Sequence, residues 1–464
     1  MSTSLTANFE DVYPLTPFQQ GMLFHVLDTP EAGVYLNQQR YTLRGELDVP
    51  VFKQALQGVM NRHQILRTAF VLSAPGGPVQ VVFRQLGLPW TTHDWSDLSP
   101  AESAERLDEF LQTDFLSGFD LQRAPLTRIT LIRTEADTYE FIWSFHLLLM
   151  DGWSMQVMLR ELLALYHGMI GGNPVELPPP IPYRNFINWL QRQSEDQAEA
   201  YWRKALAGFT RPTPLAIDRT PPPGALEKPN FKEKIVLLDE INSENLRAFS
   251  VQHRLTLNTI IQGAWALFLS RRSGTDDVLF ASVVSGRSAV IPRIDSAVGV
   301  FVNALPARVH VPTDGHVAPW LKEVQKEQAE ARRFEFCSLV RIQAWSELPR
   351  SEPLFQSVVI FQNFPTMVTM PESSAVKVVG VSLIERNNVP LALVCEPGTR
   401  FHFRIVYMGS RFDDATIDRM LENFQRIVIE LATNSGAALA SLSYQVDTEK
   451  QLLIDSFNQS LAAC

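Results

Sequence analysis

Residues 125–170 constrain the fold most, because they join two strand patterns to a helical one. In PLTRITLIR (125–133) and YEFIWSF (139–145) apolar and polar residues alternate, and the acidic TEAD between them predicts an antiparallel hairpin. SMQVMLRELLALYHGMI (154–170) then carries an apolar stripe at helical spacing and opens on Ser154, which can cap a helix. The stretch SFHLLLMDGWS (144–154) is therefore predicted to be a strand–loop–helix junction.

The rest of the chain mixes the same two patterns and predicts an α+β fold. VFKQALQGVMNRH (51–63) has a helical apolar stripe that can pack on a sheet, and aromatic residues at helical spacing predict helix over 183–207. Further helices are predicted from about Ser243 to His253, from Leu257 to Arg271 and from Asp414 to Ala432. Strands are predicted in VLFASVV, FVNALPARVHV, LFQSVVIFQNF, VKVVGVSLI, LALVCEP and FHFRIVYM.

The length of 464 residues is enough for two cores, so two domains are expected. Prolines cluster in 176–183 and 211–224, where missing amide donors and restricted backbones disfavour regular structure. These clusters bracket the expected crossing between the domains. We therefore predict an N-terminal domain over 1–180 and a C-terminal domain over 181–464.

Composition and motifs exclude several functions. The net charge of -9 is spread over interspersed acidic and basic residues, which predicts neither a nucleic-acid nor a membrane partner. Cys337, Cys395 and Cys464 are far apart, so neither a disulfide framework nor a metal site is expected, and a reducing cytoplasm fits best. No signal-peptide pattern, long apolar run, Walker loop, GxGxxG, HExxH or GxSxG pattern occurs.

The junction at 144–154 is the first candidate site, since strand ends that lead into helices commonly carry functional side chains. His146 can be a catalyst or a hydrogen-bonded core residue, and Asp151 can be a general acid, a structural ion-pair partner or a helix cap. Gly152 permits a tight turn. Spacing alone leaves these alternatives open. Arg62 and Arg67, in RHQILRTAF, are equally compatible with a cleft or a surface position.

Several motifs in order resemble the condensation domain of nonribosomal peptide synthetases, which is similar to chloramphenicol acetyltransferase. The opening motif is YPLTPFQQGMLFH (13–25), RHQILRTAF (62–70) resembles RHExLRTxF, and YRNFINWL (183–190) resembles YxDFxxW. VSGR with VGVFVNALPAR (284–308) and PLFQSVVIFQNFP (353–365) resemble later motifs. The resemblance covers essentially the whole chain.

The resemblance implies two acetyltransferase-like subdomains in a V-shaped arrangement, with a tunnel between them. Donor and acceptor peptidyl carrier proteins insert phosphopantetheine arms into this tunnel, and an amide bond forms without a bound cofactor or metal. The end LLIDSFNQS resembles a linker to an adenylation domain, so the chain is expected to be a monomeric part of a multidomain protein.

The family signature HHxxxDG is incomplete here. His146, Asp151 and Gly152 match it, but Leu147 occupies the position of the catalytic histidine. By resemblance, His146 and Asp151 shape the loop, Asp151 pairs with Arg62 or Arg67, and Gly152 keeps the loop near the tunnel. Further candidates for the tunnel or its motifs are Trp153, Ser285, Gly286, Arg287 and Asn303.

Leucine can neither donate nor accept a hydrogen bond, so an impaired acyltransferase is predicted. Adjacent strand residues point to opposite faces, and His146 is therefore not expected to replace the missing group. One alternative is a non-catalytic platform of the same fold that binds carrier proteins or recruits a tailoring enzyme. Another is a free-standing acyltransferase, which would need the same missing histidine. Whether Leu147 is natural or an engineered substitution stays open.

Overall fold

The computed structural model describes residues 8–28, 35–173, 175–215, 231–363, 375–385 and 389–442. The predicted α+β class is confirmed. The described strands are β1 (Phe9–Pro14), β2 (Leu36–Gly45), β3 (Thr68–Val71), β4 (Val79–Phe83), β5 (Trp90–Asp94), β6 (Thr127–Arg133), β7 (Thr138–His146), β8 (Phe231–Leu237), β9 (Asp277–Val284), β10 (Asn303–His310), β11 (Ser357–Phe361), β12 (Val376–Glu385), β13 (Leu391–Glu396) and β14 (His402–Met408). The described helices are α1 (Pro17–Asp28), α2 (Val49–Arg62), α3 (Pro100–Leu116), α4 (Gly152–Ile170), α5 (Arg184–Leu190), α6 (Glu195–Ala205), α7 (Glu240–His253), α8 (Leu257–Ser273), α9 (Val317–Arg332), α10 (Leu339–Trp345) and α11 (Asp414–Thr433).

The described residues divide into two compact units. The first comprises those within 1–193, 285–302 and 364–388, and the second comprises those within 194–284, 303–363 and 389–464. A single boundary after residue 180 does not reproduce this division, because two later segments pack with the first unit. The reason is main-chain pairing: β12 forms a nine-residue-pair antiparallel ladder with β2, whose backbone groups need partners regardless of chain order.

The first unit contains a five-stranded sheet in the order β12-β2-β7-β6-β5. The predicted hairpin is confirmed, since β6 and β7 pair antiparallel with Thr127 opposite Phe145. One face of the sheet buries Phe141, Trp143 and Phe145 in the same core as apolar residues of α2 and α4. The alternation seen in the sequence thus places these three aromatic side chains on one face of the sheet, which two helices cover. A second sheet of this unit has the order β1-β4-β3.

The second unit contains a six-stranded sheet in the order β10-β9-β11-β13-β14-β8. Its helix α8 buries residues around its whole circumference, because it lies in a core with side chains of α7, α9 and α11. The helices predicted near 243–253, 257–271 and 414–432 are confirmed as α7, α8 and α11. The predicted strands are confirmed as β9 to β14.

Two local predictions were wrong. The stretch 183–207 is two helices, α5 and α6, because Ser194 starts a new helix by accepting a hydrogen bond from the amide of Gln197. Helix α4 is capped by Asp151, whose carboxylate accepts the Ser154 amide at 2.8 Å, and Ser154 therefore lies inside the helix.

Among the described helices, none is long and apolar enough to cross a membrane. The segment LLIDSFNQS, Cys464 and the last two residues of PLFQSVVIFQNFP lie outside the described residues.

Candidate active site

The candidate site is the turn that connects β7 to α4 in the first unit. Strand β7 ends at His146, whose amide donates to the Leu126 carbonyl at 3.1 Å. The Leu147 amide donates to the Tyr35 carbonyl at 2.8 Å, and the Leu149 amide donates to the His146 carbonyl at 2.9 Å. Three backbone hydrogen bonds within four residues fix the path of the turn.

His146 is a structural acceptor inside this turn. It is 2% exposed, and its Nδ1 accepts the amide of Leu148 at 3.1 Å. An imidazole nitrogen that accepts carries no proton, so the ring proton lies on Nε2. Burial disfavours the charged ring and lowers the pKa of His146 to about 3. His146 is therefore neutral near pH 7, and its basic nitrogen, Nδ1, already accepts the Leu148 amide.

Leu147 differs from the residues that follow it. Leu148, Leu149 and Met150 are each 0% exposed, whereas Leu147 is only partly buried at the edge of the first unit's core. The turn thus buries three apolar side chains and leaves the fourth at the margin. Residue 147 is therefore the most accessible of the four apolar residues 147–150, and leucine presents only an apolar surface there.

Asp151 is the centre of a buried polar network. Its carboxylate is 1% exposed, accepts the Ser154 amide and hydroxyl at 2.8 Å each, and accepts the Phe301 amide at 3.0 Å. It also pairs with the Arg287 guanidinium at 3.2 Å, and the Arg287 side chain is 3% exposed. Both charges are compensated, as burial requires.

The predicted pairing of Asp151 with Arg62 or Arg67 was wrong. Arg62 pairs with Glu161 of α4 at 2.8 Å, and His63 shares that carboxylate at 2.7 Å. Arg67 pairs with Glu10 at 2.8 Å and also donates to backbone carbonyls around it. These arginines tie α2 and its following turn to other elements of the unit, and support the site only indirectly.

Arg287 also holds the segment 285–302 against α4. It donates to the carbonyls of Ile294 at 2.6 Å and Ala297 at 3.0 Å, and to the Ser154 hydroxyl at 3.0 Å. Its guanidinium lies 4.2 Å from the ring centroid of Phe301, which is within cation–π range. Arg287 therefore connects Asp151 before α4, Ser154 within α4 and the segment 285–302.

The other motif candidates in the first unit have structural roles. Gly286 has φ +64° and lies so close to Phe301 that a Cβ would be 1.7 Å from the Phe301 carbonyl oxygen. Ser285 accepts the Arg287 amide at 3.4 Å, and Trp153 donates to the Asp295 carbonyl at 2.8 Å. Gly152 is the first residue of α4.

Asn303 belongs to the second unit and does not join this network in the described structure. Its side-chain amide donates to the carbonyls of Glu335 and Cys337 at 2.7 Å each, so it holds that segment next to β10.

Sequence reasoning missed three residues that shape the site. Gln19 is 0% exposed and donates to the Leu148 carbonyl at 2.8 Å, and it lies in the opening motif that could have pointed to it. The Ser154 hydroxyl, which donates to Asp151, also accepts the Gly299 amide at 3.1 Å. Tyr35 accepts the amide of residue 147, and no signal in the sequence marks it.

No group of three or more metal-ligating His, Cys, Asp or Glu side chains occurs among the described residues.

Comparison with known families assigns the whole chain rather than the turn alone. Residues 9–454 match the model of the condensation domain, and the chain belongs to this family. Condensation domains of nonribosomal peptide synthetases are acyltransferases that form peptide bonds.

Several relatives agree with this assignment. The chain is 39% identical to a linear gramicidin synthase protein of Brevibacillus parabrevis over 453 residues, which is 98% of this chain and 9% of that protein. It is 32% identical to a mycosubtilin synthase protein of Bacillus subtilis over 97% of this chain and 17% of that protein. The chain therefore spans only a small part of the curated relatives it matches.

A solved structure shows the same fold. The starter condensation domain of rhizomide synthetase has a TM-score of 0.80 with 17% sequence identity, over 96% of this chain and 99% of that one.

Proposed function

We propose that the chain forms an amide bond between a donor thioester and an acceptor amine, and that Leu147 makes this reaction slow. One observation carries the proposal. A buried network around Asp151 and Arg287 holds the turn, while the single partly exposed position of the turn, residue 147, lacks a polar group. A turn that keeps its supporting hydrogen bonds but lacks a proton-transferring side chain at position 147 indicates a weakened catalyst.

The chemistry shows what Leu147 removes. The acceptor amine attacks the thioester carbonyl, a C–N bond forms, the C–S bond breaks, and the proton from nitrogen leaves to the thiolate or to water. Losing a positioned acid–base group typically costs about 10²–10⁴-fold in rate. Holding two reactants together can contribute about 7–11 kcal/mol, and an α-amine of pKa about 7.7–8.0 is partly neutral near pH 7. Slow turnover is therefore expected.

His146 is a poor substitute for the missing histidine. Its Nδ1 is occupied by the Leu148 amide, and the residue is 2% exposed. A base must reach the proton that it removes, directly or through one water.

The substrates and partners are part of the same proposal. Donor and acceptor peptidyl carrier proteins present the two reacting groups on phosphopantetheine arms, and an adenylation domain follows in the same protein. The names of the relatives, which are peptide synthases, support this context. A cytoplasmic location is proposed with it.

A non-catalytic carrier-binding platform is the second candidate, and the same leucine favours it. Platform binding needs the fold and its surface but no proton transfer, so a loss at position 147 would be harmless. The two candidate functions make different predictions for a histidine at position 147: it should speed amide formation in an impaired catalyst and have no effect on a platform.

The test compares Leu147→His with Leu147→Asn in an amide-forming assay with loaded carrier proteins. We expect Leu147→His to raise the single-turnover rate by about 10²–10⁴-fold, because it restores proton transfer. Leu147→Asn is the matched control, since it adds hydrogen bonding without a group that titrates near neutral pH. Equal rates for the unmodified chain and Leu147→His would refute the proposal. Undiminished carrier binding without product in either protein would support the platform.

A further inference from the structure

Tyr35 has an unusual backbone conformation next to the site. Its φ is +63°, a left-handed value that side chains with a Cβ rarely adopt. Among the described non-glycine residues, Arg254 and Arg293 share this property: Arg254 follows the end of α7, and Arg293 precedes a single 3-10 turn at Ile294–Ser296. Tyr35 caps no helix and directly precedes β2, so its conformation needs another explanation. Strained backbone of this kind clusters at functional sites.

The backbone of Tyr35 faces residue 147. Leu36 is the partner of His146 in the β2–β7 ladder, and one step further the Tyr35 carbonyl accepts the Leu147 amide at 2.8 Å. The left-handed conformation of Tyr35 therefore extends the β2–β7 ladder by one hydrogen bond, to residue 147, the first residue after β7. This bond sets where the Cα of residue 147 lies.

The side chain of Tyr35 is anchored to α1. Its hydroxyl lies 2.7 Å from Nδ1 of His25, and the two rings are nearly parallel, with centroids 6.1 Å apart. Burial raises the pKa of Tyr35, and burial lowers the pKa of His25 against an opposing effect of Asp28. Burial thus favours the uncharged form of both groups, which are joined by one hydrogen bond between the phenol oxygen and Nδ1. Tyr35 is 6% exposed.

Helix α1 thus contacts the turn directly at Leu148 and, through Tyr35, at Leu147. Gln19 donates to the Leu148 carbonyl, and His25 holds the tyrosine that accepts the Leu147 amide. Two anchors from one helix restrain both position and direction of the backbone at residue 147.

We infer that Tyr35, held by His25, is the positioning residue for the side chain at position 147. This inference rests on the proposed amide-forming function, because it concerns how that position is presented to the acceptor amine. Tyr35 acts through residue 147 and is not itself a catalytic residue.

The first test measures hydrogen exchange in the otherwise unmodified chain and does not depend on activity. Tyr35→Phe keeps the ring and removes the bond to His25. The matched control is Tyr166→Phe, because Tyr166 is a buried tyrosine of the same unit whose hydroxyl accepts the Asp48 amide. We expect exchange in peptides containing the amide of residue 147 to be about fivefold faster in Tyr35→Phe than in Tyr166→Phe. Equal exchange in both variants would overturn the inference.

The second test measures kinetics in the Leu147→His chain. We expect Tyr35→Phe to lower kcat by about 10-fold with KM unchanged, since a displaced group loses rate more than binding. His25→Leu should have the same effect, and the double variant should be no slower than either single one. A change in KM alone, or additive losses, would contradict positioning. If Leu147→His restores no chemistry while the exchange difference persists, the proposed function fails and the contact from Tyr35 to residue 147 stands.

Discussion

Replacing His146 with asparagine tests whether this residue is a neutral structural acceptor. The Oδ1 atom of asparagine can take the place of Nδ1 and accept the Leu148 amide, but asparagine does not titrate. The variant therefore keeps the hydrogen bond and removes the proton equilibrium.

The size and sign of the effect follow from the pKa. In the folded chain the pKa of His146 is lowered by burial to about 3, against an ordinary value of 6.5. Above pH 6.5 the ring is neutral in both states, and stability does not depend on it. As the pH falls from 6.5 towards 3, only the unfolded chain binds the proton, and the folded state loses stability. The loss is about 1.4 kcal/mol per pH unit, or about 2 kcal/mol at pH 5.

The assay is urea unfolding at pH 7, 6 and 5, followed by tryptophan fluorescence. We expect the unmodified chain to lose about 2 kcal/mol more than His146→Asn between pH 7 and 5. Carboxylates that titrate in this range cancel in the comparison. His316→Asn is the control, since it makes the same substitution at an exposed histidine. Parallel losses in His146→Asn and the unmodified chain would refute the buried neutral state.

Two further variants test the network behind the turn. Asp151→Ala should lower the free energy of unfolding in urea by about 3–5 kcal/mol, because it leaves Arg287 buried without its partner. The control Asp48→Ala, at the exposed cap of α2, should lower it by about 1 kcal/mol. Equal losses would show that the ion pair is dispensable. Gly286→Ala should destabilise the chain more than Gly274→Ala and also slow amide formation in the Leu147→His background. Both glycines have positive φ, but of the two only Gly286 would place a Cβ against backbone, 1.7 Å from the Phe301 carbonyl oxygen. Equal stabilities of the two variants would contradict that reasoning.

Local patterns predicted most elements of this fold. The β6–β7 hairpin and helix α11 follow from hydrophobic periodicity within about 20 residues, and tertiary packing only had to agree with it. The helix start at 151–154 was harder, because aspartate and serine are both good caps. Asp151 took that role, and Ser154 lies inside the helix, where its hydroxyl donates to Asp151 and accepts the Gly299 amide.

The partner of Asp151 was beyond local reasoning. Arg62, Arg67 and Arg287 are chemically alike, and Arg287 lies 136 positions along the chain from Asp151. Arg62 and Arg67 were satisfied by Glu161 and Glu10. Only the packing of segment 285–302 against α4 decided the pair.

By itself, the sequence determined which segments can be strands or helices and which chemical groups the turn carries. Side-chain chemistry belongs to the residue, so the absence of a proton-transferring group at Leu147 needs no structure. The tertiary structure alone decided that β12 completes the sheet of the first unit, that His146 is buried and neutral, and that Tyr35 receives the amide of residue 147. These outcomes depend on burial and on contacts between distant positions, and both arise only when the chain is packed.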